Sequence, residues 1–239
     1  MSDRNMRPFL AAALLAAGLL AGPAHATGLR LSGQWLMADD SSFDTFSSTD
    51  VRPGVDVSFS YSVFYLGKMF LVDVEGGYTH YTQHGDRLFD TYSTEILGHA
   101  MYLGLRVQFR YDRDYIEIIQ PYARVDLGWS WTRAQIDGSG DLPAMHDWAN
   151  GGYLYVGGGI QITVPTAFLR NKLRIKATDR FSIGFTYEFG YLRPQPLKMR
   201  FSQPTGAAGG PEPIPIEGLT GGSLDLAGMA HNFGFVMTF

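Results

Sequence analysis

The segment His231-Asn232-Phe233-Gly234-Phe235-Val236-Met237-Thr238-Phe239 decides the fold. Phe233, Phe235, Met237 and Phe239 fall on alternate positions, with Asn232, Gly234, Val236 and Thr238 between them. Successive side chains of a strand point to opposite faces, so this spacing predicts a strand with one strongly apolar, aromatic face. A helix would scatter the same residues around its circumference.

The same alternation recurs back along the chain. Apolar registers run from Leu29 to Met37, Val55 to Tyr65, Phe70 to Tyr78, Leu97 to Phe109, Ile119 to Trp131, Leu154 to Val164, Phe181 to Tyr191 and Met229 to Phe239. Between them, long polar connections near residues 38–52, 82–94, 134–150 and 193–222 alternate with tight turns at Leu66-Gly67-Lys68 and Asp112-Arg113-Asp114. The fourth long loop holds half of the prolines, Pro194, Pro196, Pro204, Pro211, Pro213 and Pro215. Residues 165–180 break the pattern, since Thr166 to Lys176 reads equally as a short amphipathic helix or a prolonged strand.

Residues 1–26 read as a secretory signal peptide. Arg4 and Arg7 supply the positive region, Phe9 to Leu20 the apolar core and Ala24-His25-Ala26 the cleavage site. Cleavage there leaves residues 27–239 as one domain of 213 residues, 239 less 26. That domain carries 17 basic residues (19 less Arg4 and Arg7) against 22 acidic ones (23 less Asp3) and shows no basic cluster, which gives nucleic acid no electrostatic footing. With no cysteine, disulfides, thiolate metal sites and cysteine nucleophiles are excluded.

Alternation alone fits a soluble sandwich as well as a membrane barrel. The character of the polar register separates them. It reads Asp56, Ser58, Ser60, Ser62 in one strand and Gly98, Ala100, Tyr102, Gly104, Arg106, Gln108 in another, and the whole protein has only Lys68, Lys172, Lys176 and Lys198 as lysines. Water-facing sheet surfaces are rich in Lys and Glu, whereas small side chains suit a confined lumen. The apolar register carries no Asp, Glu, Lys or Arg, and one such charge at a bilayer midplane would cost about 2–4 kcal/mol. Trp35, Trp129, Trp131 and Tyr191 fall near the long-loop rim as an aromatic girdle, as expected at a membrane interface. The expected fold is therefore all-β: an eight-stranded antiparallel up-and-down transmembrane β-barrel. Ten strands would require residues 166–176 and the start of the fourth loop to add a pair.

Inside such a barrel the polar register of each strand places Arg30, Asp56, Asp73, Glu75, Arg106, Arg124, Asp126 and Glu188 in a lumen charge network, with Asp73 and Glu75 level with Arg106. Paired charges there would plug the center; ion pairs that exchange partners would instead gate a narrow pore. No metal or catalytic set is assigned. The scattered His80, His84, Asp86, Asp141, His146 and Asp147 read as solvated loop residues, and Gly157-Gly158-Gly159 lacks the Lys and Ser/Thr of a phosphate loop. No cofactor is expected.

On the terminal Phe239 and phrases such as Gln120-Pro121-Tyr122-Ala123-Arg124-Val125-Asp126-Leu127-Gly128, the chain resembles the small OmpA/OmpX-type outer-membrane barrels, more loosely the OmpW-type hydrophobic-solute barrels. The resemblance implies a bacterial outer-membrane location with both termini periplasmic. Its implied partners are outer-membrane lipid and lipopolysaccharide, the barrel-assembly machinery, and an extracellular ligand met through the loops. It also makes Phe233, Phe235, Met237 and Phe239 an assembly signal. Outer-membrane lipid A deacylases pair His-x-Ser on a strand; here His80-Tyr81-Thr82 puts Thr where the Ser would stand, and omptin-like acid pairs are missing. The expected function is a non-enzymatic structural or surface-interaction protein with a side-chain-filled lumen. A narrow pore for small or apolar solutes is the alternative, and a lipid-modifying enzyme the third.

Deleting Phe239 is predicted to lower sharply the amount of assembled barrel in the membrane, read by heat-modifiable gel mobility. Normal assembly of the truncated chain contradicts the signal.

Overall fold

The computed structural model describes residues 27–39, 51–66, 69–85, 92–109, 118–138, 145–164, 181–200 and 220–239. The leader at 1–26, the tight-turn residues Gly67 and Lys68, the turn at 112–114, residues 165–180 and the proline-rich part of the fourth loop lie outside them. The strands are β1 (Thr27–Ala38), β2 (Val51–Leu66), β3 (Phe70–His84), β4 (Tyr92–Phe109), β5 (Ile119–Gly138), β6 (Met145–Val164), β7 (Ser182–Pro194), β8 (Leu197–Arg200), β9 (Thr220–Leu224) and β10 (Gly228–Thr238).

Eight of these close into an antiparallel barrel in the order β1-β10-β7-β6-β5-β4-β3-β2, an up-and-down path. The seam between first and last strand is continuous from Gly28↔Thr238 to Ala38↔Gly228. It is finished by reciprocal backbone bonds between Thr27 and Phe239 at 3.2 and 2.8 Å. One irregularity interrupts the ladder, a register shift between Ser62 and Phe64 in β2.

Alternation sorts the side chains as anticipated for an inside-out barrel. Leu103 and Leu127, partners across β4 and β5, are 65% and 66% exposed, while Arg30, Glu75, Asp126 and Glu188 are buried. A soluble barrel would reverse that choice, so the exterior is built for lipid. The interior is filled by a recurring device. Tyrosines stand over glycines on adjacent strands or two residues along: Tyr102 over Gly77, Tyr81 over Gly98, Tyr153 over Gly128 and Tyr155 over both Gly157 and Gly190. A Cβ at any of these glycines would collide with the ring. Gly157 and Gly159 of the glycine run in β6 are thus packing space, for Tyr155 and Tyr122.

Two expectations of loop extent are corrected. Residues 134–138 and 145–150, read as third loop, are paired strand, with the β5–β6 ladder continuing to Ile136↔Met145. Likewise β3 and β4 stay paired up to His84↔Glu95. Above the lipid band the outer face no longer needs apolar residues, so the alternation fades although the hydrogen-bonded ladder goes on. The second correction concerns the fourth loop. Its start does not add strands to the barrel; β8 and β9 pair with each other, Leu197↔Leu224 and Lys198↔Ser223, as a separate two-stranded sheet.

Leu127→Arg should destabilise the folded barrel in lipid by about 2–4 kcal/mol, measured by the urea unfolding midpoint. An unchanged midpoint would place that position outside the hydrocarbon.

Candidate functional site: the charged lumen and its cap

The polar register converges on two guanidinium groups. Arg30, inward from β1, meets Glu75 Oε1 at 2.6 Å, Glu188 Oε2 at 3.2 Å and Asp56 Oδ1 at 3.4 Å. Arg124, inward from β5, meets Asp126 Oδ2 at 2.6 Å, Glu188 Oε1 at 3.3 Å and Glu75 Oε1 at 3.5 Å. Glu75 and Glu188 therefore bridge both arginines, tying β1, β3, β5 and β7 across the lumen. All of these side chains are buried, and a buried charge is tolerable only when its partners are well placed.

Hydroxyl and amide donors complete the layer. Tyr102 donates to Asp56 at 2.9 Å, as does Thr79 at 3.0 Å. Tyr155 and Asn232 each donate to Glu188 Oε1 at 2.8 Å. The arginines also lie over aromatic faces: Arg124 over Tyr102, Arg106 over Tyr122 and Arg52 over Tyr81, with centroid distances of 4.8, 4.1 and 3.7 Å. Such stacking adds attraction where water is excluded.

Asp73 and Arg106 do not join this network. They are Cα partners across β3 and β4, yet Arg106 donates to Gln161 Oε1 at 2.5 Å and Asp73 accepts from Ser62 at 2.8 Å. Expecting Glu75 beside Arg106 from their levels on adjacent strands overlooked how far a side chain reaches: Glu75 extends across the lumen to Arg30 and Arg124. Sequence reasoning missed Arg52, which shares the register of Asp56 four residues on. It also missed the inward tyrosines as a set, although their glycine partners at fixed cross-strand positions were a usable signal.

Above the charged layer, toward the long loops, the lumen turns apolar. Tyr81, Ile96, Ala134 and Ala149 from the upper ends of β3 to β6 form one buried cluster with Leu197, Leu224 and Leu226 from the β8–β9 hairpin and its exit. The hairpin is also held by the Gln195 N–H donating to the Gly152 carbonyl at 2.8 Å. Between cap and charged layer lies a cavity of about 40 Å³, and a smaller one of about 10 Å³ adjoins Asp73 and Arg106.

On the outer face, Trp35, Trp129, Trp131 and Tyr191 are all exposed toward the long-loop end, and Trp35 packs edge-on against Phe233, centroids 5.4 Å apart. Phe233, Phe235, Met237 and Phe239 line the outward side of β10; Phe235 packs on Phe185 at 4.7 Å and Phe239 on Phe181 at 5.8 Å. His80 does not stand beside a nucleophile-base pair: its Nδ1 lies 3.3 Å from that of His99, which shares a hydrogen bond with Tyr78. Among the described residues, no group of three or more His, Cys, Asp or Glu comes together in metal-binding fashion. His146 and Asp147 sit in β6 opposite Gln135 and Ala134, while Asp86 and Asp141 lie outside the described residues.

Arg30→Ala takes away the arginine paired with Asp56 and one of the two shared by Glu75 and Glu188, and should cost about 3–5 kcal/mol of stability. Arg106→Ala strands one amide oxygen and should cost about 1–3 kcal/mol. Urea unfolding of both variants in the same detergent checks the order; equal costs would contradict the network drawn here.

No protein-family model and no curated protein matches this sequence. Among solved structures, the chain is similar to Neisserial surface protein A, with 11% identity, a TM-score of 0.44, and 89% of this chain and 95% of that one covered. It is similar to Ail, the attachment invasion locus protein of Yersinia pestis, with 11% identity, a TM-score of 0.41 and coverage of 90% and 97%. It is also similar to the outer membrane enzyme PagL, with 9% identity, a TM-score of 0.28 and coverage of 88% and 98%. No residue of this chain takes a role from these similarities.

Proposed function

We propose that this protein is a non-enzymatic outer-membrane barrel whose lumen is sealed and whose long-loop end, hairpin included, faces the exterior as an interaction surface. Both termini then sit on the periplasmic side. The observation that carries the reading is the double closure of the lumen: a cross-barrel layer of Arg30, Arg124, Glu75 and Glu188, and above it the apolar cluster of Ile96, Leu197, Leu224 and Leu226. A conducting path would have to break buried ion pairs in the first layer and displace the hairpin in the second. The spaces beside the charged layer include cavities of only about 40 and 10 Å³ among the described residues.

The exterior fits the same role. An apolar band ending in Trp35, Trp129, Trp131 and Tyr191 suits outer-membrane lipid and lipopolysaccharide, because amphipathic rings favour the headgroup level. The aromatic outward side of β10 is the segment offered to the barrel-assembly machinery. An extracellular ligand would be met through the loops and the hairpin.

Single-channel recording of the refolded wild-type barrel in a planar bilayer should be silent. Discrete openings whose size changes with Arg124 substitution would overturn the sealed-lumen reading in favour of a narrow solute pore.

A further inference from the structure

Two imidazoles interrupt the outward register of β3 and β4, which is otherwise apolar. Val74 and Gly76 lead up to Tyr78 and His80 on β3, and Leu103 and Met101 lie below His99 on β4. His80 and His99 are direct partners across the antiparallel ladder, and both are half-buried. His99 is in turn the partner of Trp131 on β5, so the pair stands in the aromatic girdle. At the headgroup level to which such rings are suited, ions from water can reach it.

Three heteroatoms converge there. The Nδ1 atoms of His80 and His99 lie 3.3 Å apart, with ring centroids at 4.9 Å and planes 31° apart. The Tyr78 hydroxyl reaches the same Nδ1 of His99, its ring stacked on the imidazole at 5.9 Å. An imidazole nitrogen offers either one lone pair or one hydrogen, so His99 Nδ1 cannot give each neighbour a full hydrogen bond. A shared cation would use all three atoms, each through a lone pair. The spacing suits one: two nitrogens bound to a tetrahedral zinc at its usual bond length stand about 3.3 Å from each other. Imidazole nitrogen selects zinc, nickel or copper, whereas calcium and magnesium prefer oxygen.

We propose that His80, His99 and Tyr78 form a site for a divalent transition-metal ion of the zinc class on the outer wall of the barrel. The two Nδ1 atoms are its principal ligands and the Tyr78 oxygen a weaker third, which leaves a position for water. Because the histidines pair directly across β3 and β4, a bound ion also clamps those two strands. The other histidines of residues 27–239 lack this arrangement. His84 is paired with Glu95 at 3.8 Å, His146 lies opposite Gln135, and His231 has a phenol beside it, Tyr187 at 3.1 Å, but no second imidazole. The site lies outside the lumen and stands whether or not the barrel conducts.

The test is a calorimetric titration of zinc chloride into the untagged mature barrel, refolded in detergent and stripped with chelator. Wild type should take up one equivalent saturably. His80→Ala and His99→Ala should each bind at least tenfold more weakly, Tyr78→Phe more weakly by a smaller factor, and His231→Ala as wild type does. No saturable uptake by wild type, or undiminished uptake when His80→Ala and His99→Ala are combined, overturns the proposal. An equal loss in His231→Ala also overturns it. If the histidine variants do not assemble, the wild-type unfolding midpoint decides: it should rise with zinc and not with magnesium at the same concentration. Equal midpoints in the two salts overturn the site.

Discussion

The hydrocarbon of a bilayer offers no hydrogen-bond partner, so every backbone N–H and C=O at that depth must find one within the chain. For a sheet, the only full solution is closure. Here closure rests on β1 meeting β10 over eleven consecutive pairs, from Gly28↔Thr238 to Ala38↔Gly228, with Thr27 and Phe239 bonded at the terminal rim. The first and last strands of the folded domain are therefore neighbours, and the aromatic outward face of β10 completes the lipid surface at the same stroke. Sealing the backbone and finishing the exterior are one event.

Closure at eight strands then dictates the interior. An eight-stranded barrel is just wide enough for side chains to fill, and alternation delivers as many residues inward as outward. Polar residues that would be solvated in a wide pore must satisfy one another here. Glycines at Gly77, Gly98, Gly128, Gly157 and Gly190 admit tyrosine rings from positions beside them. The rings place hydroxyls against Asp56 and Glu188 and faces against Arg52 and Arg124. Space-filling and charge compensation are thus carried by the same side chains.

How much of this was legible in sequence follows from which physical signal each feature leaves. The strands crossing lipid were legible because one face must be apolar, as in Phe233-Gly234-Phe235. The upper parts of β5 and β6, such as Arg133 paired with Trp148, were not, because outside the hydrocarbon the ladder persists without demanding alternation. Parity showed which charges point inward, Arg30 and Glu188 included, but parity carries no information about reach. It could not say that Glu75 would cross to Arg30 and Arg124 while Arg106 turned to Gln161. The β8–β9 hairpin was hidden for a different reason: Leu197, Leu224 and Leu226 are isolated leucines in a proline- and glycine-rich stretch, and only the open mouth of a barrel gives them a core to enter.

That mouth explains why the cap is apolar while the layer beneath it is charged. Near the barrel's middle, opposed strands are close enough for carboxylates and guanidiniums to meet across the lumen, so polar residues there can be compensated in place. Toward the rim such residues would open to water, and a polar surface there would simply be a wet vestibule. Ile96, Ala134 and Ala149 point inward at that level instead, which makes the rim a hydrophobic socket that the leucines of the hairpin fill. Because the hairpin's hydrogen bonds are largely its own, Leu197↔Leu224 and Lys198↔Ser223, the seal at the outer end is attached by apolar burial rather than by the barrel ladder. The two closures therefore differ in kind: the charged layer cannot yield without stranding buried charge, whereas the cap can in principle part from its socket while every barrel strand stays paired.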